Sequence, residues 1–333
     1  MPSLAPPALK AISLDKIFNM AKKITSPTET PVMSPASILS SVEGEADAPA
    51  GYRLGIDIGG SKLKAVLINR KNEVVEDYLL ATPKDSLNHL IIMIKAAVEP
   101  LMERAVKDNM PIDSLGLGIA GTLDEDRQKV LYAANLSIVD GAKILERLQE
   151  DFNWHMPMLM DNDANCFTRG EALLGAGRGL ENVYGITIGT GIGGGWWYNG
   201  EIYAGASGAA NQLSDMLIDI DNQITLEQAY QKLTQNNARI LAQEAYEGDI
   251  LAEKSFAELG AYLGLAFANI VNLLDPSIIV VGGGVAAVSE LFLGEAKRTM
   301  EENLHSSRPA KTKIANAKLG DNAGAIGAAL LFR

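Results

Sequence analysis

Cysteine is nearly absent from this sequence of 333 residues, where Cys166 stands alone. One thiol forms no internal disulfide and no multi-cysteine zinc site. Histidine is scarce as well. His89, His155 and His305 lie far apart and show no ligand spacing, so each reads as an ordinary surface or packing residue. Positive charge is in deficit, and the formal net charge is −12. Such a surface repels phosphate backbones at long range, which argues against nucleic acid as the main partner. It leaves a small nucleotide open, because backbone N–H groups and a divalent cation hold one locally. No uninterrupted apolar run approaches the ~18 residues of a membrane span. No basic start followed by an apolar block marks a secretory signal, so a cytoplasmic location is the expectation.

What is present points to a globular enzyme-sized body. Hydrophobic residues make up 47% and charged residues 21%, the balance of a soluble protein. The length exceeds a typical single core and suggests two lobes. Residues 1–50 differ from the rest. They hold seven of the thirteen prolines and read as a flexible extension, taken here as 1–51. Within it Leu9, Ile12, Ile17, Met20 and Ile24 fall on one face of a short helix. Basic residues there are few, which favours a helix resting on its own body, or a frayed tail, over a membrane-surface anchor.

The body begins near Tyr52. YRLGIDI and KLKAVLI are apolar strands separated by Gly59-Gly60-Ser61, and EVVEDYLL continues as a third strand after a turn at Asn69–Asn72. Residues 85–107 carry helical periodicity, and SLGLGIAG is a buried strand that meets a glycine at Gly121. Residues 140–152 read as a helix and MPMLMD as a strand ending in acid. NVYGITIG and GGGWWYNG form a second hairpin with a glycine turn. Residues 225–274 read as mostly helical, with Thr225 and Gln228 spaced as a capping box. SIIVVGGG is a buried strand, and a helix from about Gly324 closes the chain. The strand–glycine turn–strand unit near residue 58 recurs near residue 190, which suggests a duplicated α/β architecture with a ligand between the halves.

Four clusters carry chemistry. In Asp57-Ile58-Gly59-Gly60-Ser61-Lys62 the glycines let backbone approach an anion, and Lys62 and Ser61 add a charge and a hydroxyl. Asp57 is placed to hold a hydrated Mg²⁺. A plain hairpin turn explains the same residues, and neither a P-loop nor a GxGxxG pattern is present. The run from Gly189-Thr190-Gly191 to Gly195 is too rich in glycine for a turn alone and reads as a second phosphate loop. Gly282-Gly283-Gly284 suits either a flat adenosine against backbone or close helix–strand packing. Asp161-Asn162-Asp163 ends a strand and opens a helix. The helix dipole favours an ionised carboxylate there, as a general base requires. Asp161 reads as a helix cap, and Asp163 as either a cap or a general base.

Together these residues resemble the ROK family of sugar kinases and sugar-responsive repressors over roughly residues 53–333. The likeness rests on LGIDIGGSKLKAVL, GIAGTLD, Asn135-Leu136, DNDANC, GTGIGGG with NGEIYAGASG, EGDILAEKSF, LGLAFANIVNLLDPSIIVVGGGV and GDNAGAIGAALL. DNDANC, RGLEN and GTGIGGG also resemble the kinase part of N-acetylmannosamine kinases. The resemblance implies an α/β, actin-like ATPase (ribonuclease H-like) fold of two lobes around a central cleft. It places the lobes at 52–160 plus 318–333 and at 161–317. It implies transfer of the γ-phosphate of ATP, with Mg²⁺, to a sugar hydroxyl, usually at C6. Asp163 then takes the hydroxyl proton, and Gly121, Asn162 and Glu227 contact the sugar. Gly59, Gly60, Ser61 and Lys62 hold phosphates together with Gly189, Thr190 and Gly191, and Gly283 and Gly284 hold the adenosine. A homodimer is expected.

The sequence departs from the family after the second loop. Where the family reads G-E-x-G-H, this chain reads Asn211-Gln212-Leu213-Ser214-Asp215, so Gln212 replaces the sugar-binding Glu and Asp215 the His. The family's cysteine-rich zinc loop is missing, and no zinc is expected. A pocket with exchanged polar groups should prefer a different sugar, because unpaired buried polar groups are costly. The alternative is a non-catalytic sugar or nucleotide sensor. A DNA-binding repressor is disfavoured, since residues 1–50 are too short and proline-rich for a winged helix-turn-helix.

Overall fold

The computed structural model describes residues 51–235, 237–304 and 311–332. Residues 1–50, with the apolar face at Leu9, Ile12, Ile17, Met20 and Ile24, lie outside the described residues, as does His305.

Two sheets of five strands are built to the same plan. In the first, β1 (Tyr52–Ile58), β2 (Lys62–Ile68) and β3 (Val74–Ala81) form an antiparallel meander, and β4 (Ile112–Ile119) and β7 (Met158–Asn162) add in parallel beside β1. The small β5 (Thr122–Leu123) and β6 (Val130–Tyr132) form a separate hairpin between them. In the second sheet, β8 (Asn182–Ile188), β9 (Ile192–Tyr198) and β10 (Glu201–Ile202) form the meander, and β13 (Ile278–Gly282) and β14 (Lys313–Asn316) add in parallel beside β8. β11 (Leu217–Asp219) and β12 (Ile224–Thr225) pair by themselves. The strand orders β3-β2-β1-β4-β7 and β10-β9-β8-β13-β14 are equivalent, as the repeated glycine hairpin suggests. Central strands β4 and β13 are nearly continuous apolar runs, which is what burial on both faces requires.

Helices cover the sheets. α1 (Leu87–Lys107) and α2 (Ile144–Phe152) complete a first core with Leu54, Ile56, Leu90, Ile94, Leu117 and Trp154. α2 begins at Ile144 rather than 140, because Ser137–Val139 form a 3₁₀ turn and Gly141 takes a left-handed φ of 73°. The stretch 225–274 divides into α4 (Leu226–Thr234), α5 (Ala238–Tyr246) and α6 (Ile250–Leu274). Left-handed Gln235 (φ 49°) and Gly248 (φ 90°) end two of them, and Asp249 caps the third. The capping box at α4 is present, with Gln228 N–H 3.3 Å from Thr225 Oγ1 and Thr225 N–H 3.0 Å from Gln228 Oε1. α6 is long and apolar enough to cross a membrane by length and composition, yet half of that window is buried within the fold. Gly260 and Gly264 on one face let α7 (Leu293–Glu302) approach, since a Cβ at either would lie about 2.5 Å from a backbone carbonyl of Phe292 or Ala296. α6 is therefore the core helix of the second unit, with Phe256, Leu259, Leu263 and Phe267 fully buried.

The two units meet through α3 (Asp163–Leu174) and α8 (Ala323–Ala329). α3 packs on β8 and β9, and α8 packs on β1, β2 and β4. The two helices cross almost backbone to backbone. A Cβ on Gly327 would lie 1.7 Å from the Cys166 carbonyl oxygen, and one on Gly170 would lie 2.5 Å from that of Ala323. Glu171 fastens this contact. Its fully buried carboxylate accepts hydrogen bonds from the N–H groups of Ala176 (2.7 Å), Leu319 (2.8 Å) and Lys318 (3.1 Å).

Candidate active site

The strand ends of both sheets converge on a cleft. Asp57 closes β1 and sits under two glycines. A side chain on Gly324, in the first turn of α8, would overlap the Asp57 carboxylate, and one on Gly118 of β4 would touch it while pressing on Cys166. Burial, then the neighbouring charge of Asp163, raise the Asp57 pKa to about 8. Its Oδ1 is buried without a hydrogen-bond partner. An orphaned carboxylate oxygen of this kind fits a hydrated Mg²⁺ held by one carboxylate and by phosphate oxygens. No group of three or more His, Cys, Asp or Glu placed to hold a metal ion occurs among the described residues.

Asp163 is the first residue of α3. Asn162, not Asp161, caps that helix, and its side-chain oxygen accepts from the N–H groups of Ala164 (2.9 Å) and Asn165 (3.2 Å). The Asn162 amide nitrogen donates to the Gly121 carbonyl at 3.1 Å, so the ends of β4 and β7 are tied together. The Asp163 carboxylate accepts from the Ala164 N–H at 2.9 Å. Burial raises its pKa to about 6, and the hydrogen bonds from the helix start limit the rise. Asp161 plays another part. It is buried, and it accepts from Arg169 (2.9 Å) and Asn165 (3.0 Å) while Arg127 lies 3.0 Å away. Burial pushes its pKa up, but the charges of Arg169 and Arg127 and the two hydrogen bonds outweigh it, and the net shift is downward.

The two glycine loops face each other. The first is the β1–β2 turn, where Gly59 N–H donates to Lys62 O at 2.9 Å and Thr82 Oγ1 donates to Gly59 O at 2.8 Å. The second is the β8–β9 turn, braced from one face of α4. Tyr230 Oη donates to Gly189 O (2.5 Å), Gln231 Nε2 to Thr190 O (2.8 Å), and Ile192 N–H to Glu227 Oε2 (2.8 Å). Positions 227, 230 and 231 are neighbours on a helix surface. Ser61 Oγ and Thr190 Oγ1 lie 3.2 Å apart across the cleft. Asn135 lies between the loops, since side chains added at Gly60 or Gly191 would meet it at about 3 Å. Lys62 reaches Asp321 at 3.5 Å, with both side chains mostly exposed, a pair weak enough to give way to a phosphate. Of the third cluster, Gly282 packs on the Phe167 ring and Gly283 (φ 87°) on the backbone of Ile188, so close packing accounts for both. Gly284 faces open space.

Beside Asn162 lies a small pocket, lined among others by Gly121, Arg127, Asp161, Asn162, Asn165 and Gln212. Glu227 is not on this wall; both its oxygens are engaged at the second loop, by Ile192 N–H and by Gln231 (2.6 Å). Asp215 is exposed and also lies off the wall. The sequence reading missed Arg127, Arg169 and Asn165. Arg127 lies in an Asp/Glu-rich turn and pairs across 34 positions, and no local pattern announces it. The bracing residues Tyr230 and Gln231 did carry a signal, the i, i+3, i+4 spacing from Glu227.

A duplicated five-stranded sheet, with a glycine hairpin from each half meeting the other at its tip, is the arrangement of the actin-like ATPase fold. The sequence profile of the ROK family matches residues 53–226 and 222–333. The chain belongs to the ROK family. It is 27% identical over 318 residues to a glucokinase of Halalkalibacterium halodurans, covering 85% of this chain and 95% of that one. It is 25% identical over 301 residues to the xylose repressor of Bacillus subtilis, covering 84% of this chain and 76% of that one. The crystal structure of a ROK glucokinase from Streptomyces griseus, in complex with glucose and AMPPNP, matches with a TM-score of 0.71 at 28% identity, covering 84% of this chain and 99% of that one.

Proposed function

We propose that the protein is an ATP-dependent sugar kinase that phosphorylates a hydroxyl, at C6 by family resemblance, of a hexose or amino sugar. The observation that supports this reading is Asp163, a buried carboxylate at the start of α3, next to Asn162 with its bond to Gly121 and near enough to Asp57 to act on its charge. A carboxylate with a pKa of about 6 is largely ionised at neutral pH and still basic enough to accept a proton. In the proposed reaction Asp163 takes the proton of the sugar hydroxyl. The hydroxyl oxygen forms a bond to the γ-phosphorus, the bond from that phosphorus to the β–γ bridging oxygen breaks, and ADP leaves. Phosphoryl transfer depends on positioning and charge stabilisation, which suits loops with little covalent chemistry of their own. Ser61, Lys62, Thr190 and the loop backbones position the phosphates, and Gly284 gives the adenosine room. Mg²⁺ held near Asp57 would neutralise charge on the phosphates. The sugar lies against Gly121, Asn162 and Gln212.

A coupled ADP-release assay over a sugar panel tests this, with Asp163→Asn as control. Sugar-dependent release that disappears in the variant is expected. A second reading, a sugar sensor without turnover, draws support from Gln212 and Asp215 and from the repressor among the relatives. Sugar binding by thermal shift with no ADP release in wild type would favour it and sink the kinase.

A further inference from the structure

The wall of the Gly121 pocket carries more positive charge than its architecture requires. Asp161 is 1% exposed, and Arg169, itself buried on the same side of α3, neutralises it at 2.9 Å. Asn165 Nδ2 (3.0 Å) and the N–H of Asn162 (2.8 Å) bond the other oxygen. One buried carboxylate matched to one buried guanidinium satisfies the fold. Arg127 is a second guanidinium against the same carboxylate, at 3.0 Å. It arrives from another element, the β5–β6 turn, with its backbone in the left-handed region (φ 55°). Its side chain stays 29% exposed, and Asp161 is its only ion-pair partner among the described residues.

The remaining wall does not cancel this charge. Thr122, Asn162, Asn165 and Gln212 are neutral. Asp215 is exposed and off the wall, and Asp163 does not line it. Asn165 is 7% exposed, and its buried Oδ1 has no hydrogen-bond partner; the buried Arg169 Nη1 has none either. The pocket therefore presents an oriented guanidinium with spare donors.

We propose that Arg127 binds the substrate and that the acceptor is a sugar bearing a carboxylate, with a separate free hydroxyl for Asp163. The inference rests on the kinase reading above and narrows its substrate class. A planar guanidinium held by one nitrogen presents its other N–H groups to a carboxylate in a matching geometry, and such charge-assisted bonds are the strong ones. The carboxylate takes no part in the chemistry: the hydroxyl proton goes to Asp163, the γ-phosphoryl group of ATP to the hydroxyl oxygen, and ADP leaves.

The test pairs N-acetylglucosamine with N-acetylmuramic acid, its 3-O-lactyl ether, and glucose with gluconate, in ADP-release kinetics. The wild type should show kcat/KM for a carboxylated member at least roughly 10-fold above its neutral partner. Arg127→Gln should lower that ratio roughly 10- to 100-fold, chiefly through KM, and Arg127→Lys should recover part of it. Neutral sugars used as well as or better than both acids, or a ratio unchanged in Arg127→Gln, overturns the inference and leaves the kinase standing. If Arg127→Gln does not fold, the wild-type panel and the lysine variant decide alone. If no sugar releases ADP, the kinase reading fails, and thermal shift decides the rest. Stabilisation by the acid and not its neutral partner, lost in Arg127→Gln, supports the carboxylate site; equal shifts reject it.

Discussion

The side-chain oxygens of Ser61 and Thr190 lie 3.2 Å apart although 129 positions separate them. Each is at the tip of a glycine hairpin, one from each sheet. A phosphate chain entering the cleft therefore meets both hydroxyls together. Ser61→Ala and Thr190→Val should each raise KM for ATP by about 10-fold, the loss of one hydrogen bond to a charged group. KM for the sugar should move little. Steady-state kinetics with each substrate varied in turn reads the difference.

Asp163→Asn should lower kcat by roughly 10²- to 10⁴-fold, the range for a general base. In the wild type the rate should fall as pH drops through about 6, where Asp163 gains its proton. The stability effect has the opposite sign from a paired carboxylate. A folded pKa above the unfolded value means that the charged form weakens the fold, and that protonation on lowering the pH relieves it. Asp163→Asn should therefore melt at or above the wild-type temperature, so its lost activity cannot be ascribed to unfolding. Calorimetry and pH–rate profiles on the same preparations check both.

Asp161 should behave in reverse. Its folded pKa is lowered, so its contribution is complete above the ordinary carboxylate range and is lost as pH falls through the folded value. Asp161→Asn leaves Arg169 buried without its counter-charge and should destabilise by about 3–5 kcal/mol. Denaturant unfolding at neutral pH measures this. The gap between variant and wild type should narrow below about pH 4.

Gln212 is on the pocket wall and Asp215 is not. Gln212→Glu should therefore change relative kcat/KM across a sugar panel more than Asp215→His does. Equal turnover of glucose by wild type and the Gln212→Glu/Asp215→His double variant would rule out the pocket's exchanged groups as the source of an altered preference.

Much of this architecture was legible because its signals are local. The glycine hairpins after YRLGIDI and NVYGITI and the Thr225–Gln228 box each declare themselves within a few residues. Gly121, Asn162 and Gln212 on the pocket wall were named from the sequence, but its charged part was not legible, because charge pairs such as Arg127 with Asp161 join distant segments and leave no periodicity behind. Glu227 shows the limit from another side. Its place on a helix beside the site was evident, but one turn of that helix decides whether it faces a ligand or the loop, and it grips Ile192 N–H. An acid before a helix usually caps it, which is the local signal at Asp161; Asn162 holds that position instead.

The contact between α3 and α8 has a mechanical consequence. With Gly170 and Gly327 bringing the helix backbones together, and Glu171 binding the chain at Lys318 and Leu319, one unit has no clearance to slide over the other. Rotation about the crossing point is the movement left to them. Asp163 starts one of these helices, and Gly324, against which the Asp57 carboxylate lies, is in the first turn of the other. The carboxylates thus sit near the axle, where displacement is smallest, and the hairpin tips at Ser61 and Thr190 ride the jaws.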